Sequence, residues 1–92
     1  MIVRILGEGQ LDVADNHLET LNRLDDDLAK AVDSGDEPQF AAALAALLAK
    51  VREVGTVVPD DAITPSELIL PSADASLPEV RALLTDEGLI PG

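Results

Sequence analysis

Two apolar stripes at helical spacing, parted only by the short stretch from Asp33 to Gln39, constrain this chain more than any other feature. The first comprises Leu18, Leu21, Leu24, Leu28, Ala31 and Val32. The second comprises Phe40, Leu44, Leu47, Val51 and Val54, with Leu48 beside them. Steps of three and four put each set on one side of an α-helix. The first helix is expected from about Asp15 to Val32, with Asp15 as N-cap and Glu19 near its positive end. Gly35 suits a left-handed cap that stops it. Asp36 opens the second helix, Pro38 fits its first turn, where a missing N–H costs little, and Gly55 ends it. The short connection predicts an antiparallel helical hairpin over residues 15–54. Each stripe spans under three heptads, which favours a pair packed inside a globule over a long coiled coil.

The flanking segments follow other rules. Ile2-Val3-Arg4-Ile5-Leu6 is a β-branched apolar run, and Gln10-Leu11-Asp12-Val13 alternates polar with apolar. With Gly7-Glu8-Gly9 between them, residues 1–13 read as a β-hairpin. Two strands alone are marginal in water, so the hairpin must pack on the helices or gain a strand. Pro59, Pro65 and Pro71 keep the next stretch out of a helix. Val57-Val58 and Leu68-Ile69-Leu70 are expected to lie extended across the core, the latter adding a strand to the hairpin. Ser76-Leu77-Pro78-Glu79 is a capping-box pattern that opens a short helix over 77–85, with Val80, Leu83 and Leu84 inward and Asp86-Glu87-Gly88 at its end. The fold class is α+β, mainly helical, in one domain over 1–92 whose tail, 56–92, is extended apart from that helix.

Composition narrows function by exclusion. Phe40 is the one aromatic, so the core is aliphatic, and the absence of cysteine excludes disulfides and thiol chemistry. The opening apolar run is too short for a signal peptide, and the longest uncharged run, Phe40 to Ala49, is half of what a membrane span needs. A soluble, cytoplasmic protein is expected. Eighteen acids against six bases give a net charge of -12, which repels nucleic acid and anionic lipid and suits solubility or a basic protein partner.

The search for chemistry comes up empty. His17 is the only histidine, with no cysteine and no serine in a nucleophile-elbow pattern to act on, and it reads as an exposed residue of the first helical turn. Asp25, Asp26 and Asp27 are consecutive on a helix, where neighbours lie about 100° apart, so they fan outward and cannot converge on one ion. They read as a solvated acidic face with partner recognition as the sharper use. Asp60-Asp61 and Asp12-Asp15-Asn16 lack the EF-hand spacing. Gly7-Glu8-Gly9 has neither the third glycine of a dinucleotide loop nor the Gly-Lys-Ser/Thr of a P-loop. No catalytic, cofactor or metal residues are expected, and the protein is read as a non-enzyme.

Phe40-Ala41-Ala42-Ala43-Leu44-Ala45-Ala46-Leu47-Leu48-Ala49 is the informative segment, because a helix facing water should carry polar residues on its outer side. Here the outer side is Ala42, Ala43, Ala46 and Ala49. Three readings stand together: alanine tolerated in water as the best helix former, burial under the tail, or an exposed smooth patch for a partner helix. Self-association through the same face or through an open hairpin edge is a further use. An acidic mimic of nucleic acid, or an anti-repressor binding a basic regulator, is the competing function.

The whole chain also resembles a known family, the PspA-associated proteins, PspAA. The resemblance rests on Met1 to Gln10, on Leu21-Asn22-Arg23-Leu24-Asp25, and on Val51-Arg52-Glu53-Val54-Gly55. It extends through Leu70-Pro71-Ser72-Ala73-Asp74-Ala75-Ser76, Glu79-Val80-Arg81-Ala82-Leu83-Leu84, and Glu87-Gly88-Leu89-Ile90-Pro91-Gly92. It implies an accessory or regulator of the phage-shock envelope-stress response. The implied partner is PspA, an ESCRT-III-like coiled-coil protein that would recruit this chain to the inner face of the membrane. The resemblance implies no catalytic residues.

Overall fold

A computed structural model describes residues 1–59 and 65–83. Two antiparallel strands, β1 (Ile2–Ile5) and β2 (Gly9–Asp12), are joined by a turn in which Gly7 and Gly9 take positive φ. β3 (Thr56–Val57) pairs antiparallel with β2, and β4 (Leu68–Leu70) pairs parallel with β1. The sheet order is β3-β2-β1-β4, so the first strand made is an interior one. Alternation along β1 buries Val3 and Ile5 and exposes Arg4, and β4 likewise buries Leu68 and Leu70 around exposed Ile69.

The buried face of this sheet shares one core with a helical hairpin, α1 (Leu18–Ser34) and α2 (Glu37–Val54). Leu21, Leu28, Ala31 and Val32 from α1 meet Phe40, Leu44, Leu47, Leu48 and Val51 from α2. The link is a Schellman motif: Gly35 sits at φ 73°, its N–H donates to the Val32 carbonyl at 3.2 Å, and the Asp36 N–H donates to Ala31 at 3.3 Å. Asp36 then caps α2 by accepting from the Gln39 N–H at 3.1 Å, with Pro38 in the first turn. Gly55 is extended, not left-handed. A Cβ there would lie 2.7 Å from the Val51 carbonyl oxygen and 2.9 Å from the Leu11 Cβ, so glycine lets the end of α2 press onto β2.

α3 (Leu77–Leu83) closes the described chain. The Ser76 hydroxyl accepts from the Glu79 N–H at 3.3 Å, as its capping pattern requires. Arg81 donates to the Val32 carbonyl at 2.6 Å, a second bond to the oxygen that already accepts from Gly35, and so docks α3 on the last turn of α1.

Five expectations need correction. The chain enters α1 through a 3-10 turn, Asp15–His17, so Asp15 does not cap; its carboxylate lies 3.9 Å from the Met1 ammonium instead. That turn also leaves His17 half-buried rather than exposed. Val57 does not cross the core but stands 74% exposed on the edge strand β3, because Val58 donates to Gln10 and holds the segment beside the hairpin. Leu83 is 48% exposed, since only Leu77 and Val80 of α3 face inward. The last correction, at Asp25, concerns the candidate site. Leu84, the end of the 77–85 helix and Asp60-Asp61 lie outside the described residues.

Candidate docking face

Among the described residues, nothing covers the outer side of α2. Ala42, Ala46 and Ala49 are exposed, while Ala43 is half-buried and packs against the core. Ala41 and Ala45 are exposed as well. The buried residues Phe40, Leu44, Leu47, Leu48 and Val51 define the inner direction of the helix. At about 100° per residue, Ala42, Ala46 and Ala49 lie on the side opposite that direction, Ala45 lies at about 115° from it, and Ala43 turns toward the other flank. Helix spacing places Ala45 on a flank, and it is exposed because the neighbouring elements leave that flank open. From Pro38 to Ala49 no charged side chain interrupts a surface about 18 Å long.

The two ends of this surface differ in charge. At the C-terminal end Lys50 lies 3.5 Å from Glu53. Arg52 grips Glu8 of the hairpin turn with two nitrogens, Nε reaching Oε1 at 2.7 Å. These hydrogen bonds, assisted by charge and opposed by slight desolvation, hold the Glu8 carboxyl below its ordinary range and raise Arg52 further. Charge at this end is thus largely neutralised within the molecule. At the N-terminal end the Asp36 carboxylate is engaged as a cap, and Glu37 makes no ion pair among the described residues.

The three aspartates of α1 do not act as a unit. Asp25 is 1% exposed, not part of a solvated face. The spine of α1 runs Leu21, Asp25, Leu28, Val32, so the central position of the stripe is a carboxylate and Leu24 is only half-buried beside it. Asp25 is partnered, and no buried side-chain nitrogen or oxygen among the described residues lacks a hydrogen bond. Asp26 and Asp27 are exposed. Asp27 alone approaches α2, lining a shallow polar groove with Lys30, Ser34, Asp36 and Gln39.

Among the described residues, no group of three or more His, Asp or Glu side chains is placed to hold a metal ion. No described helix is long and apolar enough to cross a membrane. A family model described as PspA-Associated protein, PspAA, matches residues 1–92. No curated protein and no solved structure matches the chain.

Proposed function

The chain belongs to the PspAA family of PspA-associated proteins, and on that premise we propose that it is a non-catalytic accessory that binds a PspA-like coiled-coil protein. Its role is regulation of a phage-shock membrane-stress system from the cytoplasm, with the membrane reached through the partner. The observation that carries this reading is the exposed, uncharged outer face of α2, centred on Ala42, Ala45, Ala46 and Ala49. Small side chains let another helix approach to roughly 8 Å between axes, where backbone and Cβ atoms themselves make the contact. A long helical partner offers the complementary shape. The surrounding acidity suits a partner with basic flanks and disfavours nucleic acid or bare anionic lipid. Asp27 belongs to this reading through the groove it lines beside α2, Asp26 only as part of the acidic surface, and Asp25 is withdrawn from it by burial.

The accessory reading is favoured over an acidic nucleic-acid mimic because the exposed acids belong to four separate elements, the hairpin turn (Glu8), α1 (Glu19, Asp26, Asp27, Asp33), α2 (Glu37, Glu53) and α3 (Glu79).

Titrating purified PspA into the chain tests the proposal. Ala42→Glu and Ala46→Glu are expected to keep the circular dichroism of the parent and to weaken binding by about ten-fold or more, because a carboxylate would be desolvated in the contact. Two folded variants that bind PspA like the parent would remove this face from the interface. No complex at tens of micromolar in low salt would sink the accessory role.

A further inference from the structure

We propose that the docking face ends in an anchor slot, which takes one large apolar side chain of the partner helix while Glu37 receives a Lys or Arg from the same helix. This rests on the reading of α2 as the docking face.

A cleft of about 250 Å³ lies between the start of α2 and the start of α3, lined by Glu37, Phe40, Ala41, Ser76, Leu77 and Pro78. Its volume falls below the roughly 300–1,000 Å³ of small-molecule pockets. It suits a single side chain better than a metabolite. Phe40 and Leu77 are core residues at 6% and 8% exposure, so they form a fixed apolar lining. Ala41, on the lip, is exposed and joins the slot to the alanine surface without a polar break. A helix laid along that surface therefore runs into a hole at one end. Interfaces concentrate their energy in such places, where one bulky anchor fills a preformed pocket.

Charge selects the occupant. Lys50 and Arg52 at the far end already have Glu53 and Glu8 beside them, whereas Glu37 at the slot makes no ion pair among the described residues. The opposite flank of α2 is the polar groove of Asp27, Lys30, Ser34 and Gln39. The partner helix must then lean its apolar seam toward α3 and carry a cation within one turn of its anchor. A second copy of this chain fits worse, since two molecules of net charge -12 repel.

The test is a titration of purified PspA into the ¹⁵N-labelled full chain at two salt concentrations, for the parent, Ala41→Phe, Glu37→Gln and Ala46→Glu. Ala41→Phe fills the slot from its lip and is expected to weaken binding by about ten-fold or more. Glu37→Gln changes little volume and is expected to weaken binding several-fold at low salt and to flatten its salt dependence. It also keeps the test decisive if Ala41→Phe disturbs folding. Loss with Ala46→Glu but parent-like binding by both slot variants would leave the docking face standing and overturn the anchor slot. Absence of parent binding would overturn both. Self-association abolished by Ala41→Phe would assign the slot to a second copy and overturn the partner-helix proposal.

Discussion

Asp25 stands where helix spacing asks for leucine. Its position in the row Leu21, Asp25, Leu28, Val32 was visible in the spacing, but residue type argued for solvent. A buried carboxylate needs a compensating group, and the spacing of apolar residues carries no sign of one. Asp25→Ala would strand that group and remove core volume, so a loss of about 1–3 kcal/mol in unfolding free energy is expected. Urea denaturation checks it, with a lower midpoint at unchanged slope. Glu8 and Arg52 are the converse case, an exposed pair joining the hairpin turn to the end of α2. Its carboxyl pKa is lowered in the folded state, chiefly by the hydrogen bonds from Arg52. The stabilisation is therefore present above the ordinary carboxylate pKa and is lost as pH falls through the lowered value. Solvent screening keeps it under about 1 kcal/mol. Glu8→Gln should lower the melting temperature slightly at pH 7, and the two proteins should converge at acid pH. A constant difference across that range would show that the pair contributes no ionic stabilisation.

The helical hairpin was the most legible element, because its signals are local. Phe40, Leu44, Leu47, Leu48 and Val51 are buried as their spacing implies, and Gly35 adopts the left-handed cap. Gly35→Ala would force a Cβ into φ 73° although open space surrounds it. The expected cost is about 1 kcal/mol, all of it backbone strain, and thermal unfolding of a Gly35→Asn variant should recover part of that loss. Gly55 read correctly as a stop but for a different reason. The close approach of Leu11 to its Cα is a contact between elements far apart in sequence, so no local signal could reveal it. The docking face was half legible for a similar reason. An uncharged outer side is a property of α2 alone, whereas the slot beside it needs α3 to be in place.

Across the whole molecule, a layer of helices covers one side of a four-stranded sheet, and the proposed docking surface lies on the solvent side of that layer. Length and composition forecast one aliphatic core, and the core is one cluster running from Val3 to Val80. The strand order was only partly readable. The hairpin follows from its turn, but the parallel match of Val3, Arg4 and Ile5 with Leu68, Ile69 and Leu70 joins segments that lie on either side of the whole helical hairpin. That pairing sets an order of events. Closing so long a loop costs entropy before any contact rewards it, so β1 must wait for β4 while the α-hairpin collapses on its own local contacts. Leu47→Ala, in the hairpin, should slow refolding. Leu70→Ala, in β4, should leave the refolding rate almost unchanged and speed unfolding, as stopped-flow chevrons would reveal. On a ribosome the consequence is a timetable: β1 emerges before β4, and it stays without that neighbour until the helical hairpin and the segment leading to Leu68 have been made.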